Sequence, residues 1–219
     1  VHIHGEILHG LHQILILDLA DEVQQLLGAA HGEGGDDDVA ALGEYSDAAA
    51  RSQDLIRWEQ ISRDAQAGCT LFTDVQQELK EALTYARTNT FWAPDVQQLA
   101  DGRYYYYYCT CEGSSPLSTL GVAVSDSPEG PYEDLGIFLK SGMPGYNASV
   151  YPNVVDPHTF FDKEGKLWMV YGSYSGGIFI FEMDPLTGLP LEGQSAYGKK
   201  LLGGNHARIE APYIMYSPD

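Results

Sequence analysis

From Phe91 onward the chain alternates short apolar stretches with clusters of turn-forming residues. "DVQQL" (95–99) passes through "ADG" into "RYYYYYCTC" (103–111), and "TLGVAVS" (119–125) passes through "SPEGPYED" into "GIFLK" (136–140). Short runs rich in aromatic and β-branched residues, bounded by Gly, Pro, Asp and Ser, are strand signals. The tight connections between them predict an antiparallel meander. The same plan returns further on. "HTFFD" (158–162) leads through "KEG" into "KLWMVYGSY" (166–174), then "GIFIFEMD" (177–184) leads through "PLTG" toward "GKKLL" (198–202). Two four-stranded units are therefore expected, and the chain reads as all-β.

The N-terminal part has a different texture. "LADEVQQLLGAA" (19–30) has the spacing of a short amphipathic helix, and "HGEGGDDDVAALGEYSD" (31–47) is Gly-rich and acidic, a loop composition. Residues 1–47 are thus read as an atypical segment of helix and acidic loop, and 48–219 as the β-rich region. Within that region "DVQQELKEALTYART" (74–88) is compatible with a helix.

The two units align on a proline. Pro94 is followed eight residues later by Gly102, Arg103 and an aromatic strand, and Pro157 eight residues later by Gly165, Lys166 and "LWMVYG". Pro212, in "IEAPYIMYSPD", opens a third copy; the spacings are 63 and 55 residues. Repeated four-stranded meanders of this size are the sequence pattern of β-propeller blades. About two complete blades and parts of others are expected.

Charge narrows the function. With 12 basic and 31 acidic residues, the formal net charge is −19, which repels phosphate backbones and anionic lipid. Nucleic-acid and membrane partners are not expected. The apolar run "ILILDLA" is interrupted by Asp18 and follows no basic region, so it reads neither as a signal peptide nor as a membrane span. A soluble protein follows, extracellular or cytoplasmic. Cys69, Cys109 and Cys111 are read as reduced packing thiols, the last two on one face of a strand. His2, His4, His9 and His12 cluster without a carboxylate or Cys at ligand spacing and are read as solvated or capping residues, with no metal.

In a propeller the first strand of each blade lines the axis, and residues just before it face a shared axial pocket. Those residues include Asp156 before Pro157 and Glu210 before Ala211–Pro212. Two converging carboxylates beside aromatic residues suit glycoside hydrolysis, in which one stays protonated as acid and another is ionised. The structural alternative is that Asp-Pro simply opens a turn and Glu210 caps a strand entry.

"NTFWAPDV", "YPNVVDPHTFFDKEGKLWMVYGSYSGGIFIFEMDP" and "GGNHARIEAPYI" resemble glycoside hydrolase family 43, most of all its arabinan-degrading endo-1,5-α-L-arabinosidase members, over about residues 48–219. The resemblance implies a five-bladed β-propeller and hydrolysis with inversion. The family's acid motif falls on Glu210, with Ala211 where glycine is usual. Its second carboxylate, which raises the pKa of the acid and orients it, falls on Asp156. Trp92, Asn153, Ser173, Tyr174 and Ser175 resemble substrate-binding positions; for Trp92, core packing is the alternative. The family's general base lies in a His-Asp-Pro motif, which this sequence lacks, so the base is assigned to no residue. Related propellers carry a central calcium ion; no matching ligand is placed here, and no cofactor is required for the chemistry.

The implied partner is an oligo- or polysaccharide, and the implied function is hydrolysis of α-1,5-L-arabinofuranosidic bonds. Two alternatives stay open: an exo-acting α-L-arabinofuranosidase or β-xylosidase, and a non-catalytic carbohydrate-binding propeller remnant.

Overall fold

The computed structural model describes residues 3–9, 12–17, 48–52, 56–60, 85–86, 91–111, 117–142 and 146–215, the strands of the first sheet by their backbone. Twelve strands in these residues form three four-stranded antiparallel sheets. β1 (Ile3–His9), β2 (His12–Leu17), β3 (Ala48–Ser52) and β4 (Trp58–Gln60) make the first. β5 (Phe91–Gln98), β6 (Tyr104–Cys111), β7 (Ser118–Ser125) and β8 (Glu133–Lys140) make the second. β9 (His158–Phe161), β10 (Leu167–Ser173), β11 (Gly177–Met183) and β12 (Lys199–Leu202) make the third. Each is a simple meander in chain order. The first strands are neighbours, with β1 and β9 both lying against β5.

The second and third sheets coincide closely with the strands read from the sequence. The first does not. Where an atypical helix and loop segment was expected over 1–47, residues 3–9 and 12–17 are strands, and β2 pairs with β3 across the expected boundary at residue 47/48. The described chain thus has three four-stranded sheets rather than two and parts. The physical cue is the pair of segments Ile3–Leu8 and Ile14–Leu17, which carry isoleucine and leucine and whose facing registers pair main-chain polar groups in a hairpin. The helix expected over 19–30 and the loop over 31–47 lie outside the described residues. Of the segment 74–88, Tyr85 and Ala86 are described and are helical.

A second difference concerns the aligned prolines. Pro157 precedes β9 as expected, but Pro94 is the fourth residue of β5. The β5–β6 register shifts between Trp92 and Asp95. Such a bulge is where a strand tolerates a residue that has no N–H to give. The segment around Pro212 follows β12 and forms no strand among its described residues.

β6 explains why the sheets stack. Tyr105, Tyr106, Tyr107 and Tyr108 are all buried although they alternate across the sheet. On one face Tyr105, Tyr107, Cys109 and Cys111 join a core shared with Val154, Met169, Tyr171 and Phe181 of the third-sheet region. On the other, Tyr106 packs on Tyr132 (5.4 Å between ring centres) and Tyr108 meets the edge of Phe91 (5.7 Å). Cys109 and Cys111 are buried, form no disulfide and join the same core face, as the period-two reading expects; Cys69 lies outside the described residues. Burying whole tyrosines demands partners for their hydroxyls. Tyr107 donates to the Gly188 carbonyl at 2.9 Å, and Tyr108 to Asp134 Oδ1 at 2.8 Å. The Tyr107 bond joins the second sheet to the turn after β11.

Candidate active site

Asp156 sits immediately before β9, on a segment held from several directions. The Tyr146 hydroxyl donates to the Pro152 carbonyl (2.8 Å), Val154 N–H donates to Ser118 Oγ (2.8 Å), and the Ser118 hydroxyl donates to Asn153 Oδ1 (2.9 Å). Gly172 N–H then donates to the Val155 carbonyl at 2.8 Å, tying the segment to β10. So fixed, Asp156 adopts φ 55°, the left-handed region. Asp tolerates that region better than most residues, at a cost on the order of 1–2 kcal/mol.

The half-buried Asp156 carboxylate reaches the segment that carries Glu210. Its Oδ2 accepts the Ala211 N–H at 3.1 Å. Ala211 is itself left-handed, φ 49°, the conformation that suits glycine and strains alanine. Glu210 projects an exposed side chain beside this contact. The two carboxylate residues predicted from sequence are therefore brought together through the backbone of residue 211.

The remaining predicted residues divide into two groups. Asn153 is half-buried and spent on structure: its Oδ1 takes the Ser118 hydroxyl and its Nδ2 lies 3.7 Å from Cys111 Sγ. Trp92 is half-buried and packs against the core between the second and third sheets, so core packing accounts for part of its surface. By contrast, the 173–175 hairpin meets His206, four residues before Glu210. Tyr174 is exposed with its ring 6.5 Å from that of His206, and the Ser175 carbonyl accepts the His206 N–H at 3.5 Å. Ser173 is buried, and its Oγ has no hydrogen-bond partner among the described residues.

The sequence reading missed a series one residue further on. The residues that follow the three aligned prolines are Asp95, His158 and Tyr213, and they touch in order. His158 Nδ1 lies 3.7 Å from Asp95 Oδ1, and the His158 ring stacks on Tyr213 with centres 4.0 Å apart. Asp95 Oδ2 also accepts the Thr159 N–H at 2.7 Å and the Thr159 hydroxyl, so β5 grips β9 through one buried carboxylate. His158 Nε2 donates to the Ile214 carbonyl at 2.9 Å. Burial disfavours the charged imidazole, but the Asp95 carboxylate and the Ile214 carbonyl outweigh it, and the His158 pKa is raised. The signal was available: each residue sits one place after a repeat-defining proline.

Among the described residues no group of three or more His, Cys, Asp or Glu side chains converges as a metal ion requires. The side chains of His2, His4, His9 and His12 lie outside the described residues. Also among the described residues, no helix is long and apolar enough to cross a membrane.

Comparison with known proteins agrees with the motif reading. The family described as Glycosyl hydrolases family 43 matches residues 48–219. The chain is 60% identical over 179 residues to extracellular endo-α-(1→5)-L-arabinanase 2 of Bacillus subtilis, a match covering 78% of this chain and 38% of that protein. It is 51% identical over 182 residues to the extracellular endo-α-(1→5)-L-arabinanase of Thermotoga petrophila, with the same two coverages of 78% and 38%. Among solved structures, the family 43 YxiA protein of Bacillus licheniformis superposes with TM-score 0.80 at 49% identity, over 100% of this chain and 45% of that one. The Thermotoga petrophila endo-1,5-α-L-arabinanase gives TM-score 0.78 at 42% identity, over 99% and 45%. The chain thus spans less than half the length of these relatives.

Proposed function

The chain belongs to glycosyl hydrolases family 43, and from that premise we propose that it forms the acid side of an arabinan-hydrolysing active site. Its substrate is a polysaccharide of α-1,5-linked L-arabinofuranose, cut within the chain. The bacterial relatives are named as extracellular arabinanases, and we place the encounter with polymer outside the cell. The three sheets are consecutive blades of a five-bladed propeller, with β1, β5 and β9 as innermost strands.

In this mechanism Glu210 gives its proton to the departing glycosidic oxygen as the bond to the anomeric carbon breaks. A water attacks the anomeric carbon from the opposite face and loses a proton to a base, so configuration inverts. That base is assigned to no residue of this chain. Inverting carboxylates stand roughly 6.5–9.5 Å apart to admit the water, so the base belongs across the axis from Glu210. Asp156 acts through its negative charge and its hold on the Ala211 N–H, modulating and orienting the acid. Tyr174, Ser175 and the exposed part of Trp92 meet the sugar.

One observation carries this reading: the 3.1 Å bond that couples Asp156 to the residue after Glu210. The test is to incubate the full-length protein with linear 1,5-α-L-arabinan and resolve the products by size. A ladder of oligosaccharides is expected. Arabinose alone would replace internal cleavage with exo action, and no release of sugar would overturn hydrolysis.

A further inference from the structure

We propose that His158 is a positioning residue for Glu210, one half of a two-point clamp that fixes the segment 210–214. The inference rests on the hydrolytic reading above and adds a residue to it. Asp156 and His158 flank Pro157, whose ring fixes the backbone between them. The first holds Ala211 N–H at 3.1 Å; the second holds the Ile214 carbonyl at 2.9 Å and covers the Tyr213 ring at 4.0 Å. Glu210 lies at the end of the segment so gripped. Among the described residues, these contacts tie the segment to β9 and to the loop that precedes it.

The geometry also fixes which imidazole nitrogen does what. A carbonyl accepts only, so Nε2 carries the proton that bonds Ile214, and Nδ1 faces Asp95. Asp95 is anchored in turn by Thr159. The buried carboxylate therefore orients the ring, the ring orients the segment, and the segment orients the acid. The chain crosses from β5 through β9 to residue 214, one residue from each repeat. A carboxylic acid displaced from the leaving oxygen loses proton transfer far more than substrate affinity.

The test compares His158→Ala, His158→Gln and Tyr213→Leu in the full-length protein, with Gln retaining a donor near the position of Nε2. Two quantities are read: amide hydrogen exchange of peptides covering 208–215, and kinetics on arabinan and on a 4-nitrophenyl arabinofuranoside, whose leaving group needs little acid help. His158→Ala is expected to speed exchange of this segment and to lower kcat on arabinan by about 10- to 100-fold, the equivalent of one strong hydrogen bond. KM should change little and the nitrophenyl substrate should suffer less. His158→Gln should recover most of both losses, and Tyr213→Leu should reproduce part of them, which keeps the test decisive if the Ala variant does not fold. Unchanged exchange in the Ala variant, equal loss on both substrates, or a rise in KM with kcat intact would overturn the proposal. If the unaltered protein releases no sugar, hydrolysis fails as a function while the exchange measurement still decides the clamp.

Discussion

Asp156 Oδ2 accepts a 3.1 Å hydrogen bond from the backbone N–H of Ala211, and both residues hold left-handed backbone conformations, φ 55° and 49°. Two strained residues from different repeats meet at one contact beside Glu210. Strain of this kind persists only where surrounding structure over-determines it. Here the determinants are the Ser118 and Tyr146 anchors on one side and His158 on the other.

Removing the carboxylate separates its two roles. Asp156→Asn keeps an oxygen for Ala211 but loses the negative charge, whereas Asp156→Ala loses both. Both variants should lose activity on arabinan, by at least about 100-fold, because a charge near the reacting centre is worth several kcal/mol in a site that excludes water. Only the Ala variant should also loosen residues 208–215 in hydrogen exchange. Equal loosening in both would remove the Ala211 bond from the explanation.

Residue 211 offers a stability test that leaves every side-chain contact in place. At φ 49° an alanine is strained and a glycine is not, so Ala211→Gly should relieve strain while adding unfolded-state freedom. The net expectation is stabilisation by up to about 1 kcal/mol, and Ala211→Val should destabilise by more than that. Urea midpoints of the three proteins decide it; a destabilised Gly variant would contradict the left-handed assignment.

The Asp95–His158 pair predicts a pH dependence with a definite sign. A histidine whose folded pKa is raised above 6.5 contributes stability fully present below the unfolded value and lost as pH rises through the folded value. The groups facing it are the Asp95 carboxylate, the Ile214 carbonyl and the Tyr213 ring. Unfolding free energy of the unaltered protein should therefore fall from pH 6 to pH 8 more than that of Asp95→Asn, which retains an acceptor for Thr159 without the charge. Parallel profiles would show that the pair is not coupled to folding.

Gly176 couples the hairpin that carries Tyr174 and Ser175 to the loop that precedes Asp156. A Cβ there would collide with the Tyr151 carbonyl oxygen and lie 2.6 Å from Pro152 N, backbone atoms that cannot swing aside. Gly176→Ala should cost about 1–3 kcal/mol in chemical denaturation and weaken oligosaccharide binding by displacing Tyr174 and Ser175. Full stability in the Ala variant would mean the two backbones do not approach as described.

The second and third sheets were legible in the sequence because their strands carry aromatic or β-branched runs bounded by turn residues. Tyr104–Cys111 and Leu167–Ser173 show this clearly. The approach of Asp156 to the segment that carries Glu210 was legible through their place beside aligned prolines. The first sheet was not, because Ile3–His9 and His12–Leu17 match no repeat motif and Ala48–Ser52, which pairs with His12–Leu17, lies far along the chain. Pairing of distant segments leaves little local signature. The Asp95–His158–Tyr213 series was missed for a related reason. Each residue is ordinary alone, and a proline alignment gives the repeat but not which neighbouring side chains stack together.

Proton donation by Glu210 is tested most directly by Glu210→Gln in the full-length protein, assayed in parallel on linear arabinan and on a 4-nitrophenyl arabinofuranoside. The amide retains shape and hydrogen bonding but has no acidic proton, so turnover of arabinan should fall by about 1,000-fold or more while the activated substrate falls much less. Equal loss on the two substrates, or arabinan turnover near that of the unaltered protein, would contradict the assignment of Glu210 as the acid.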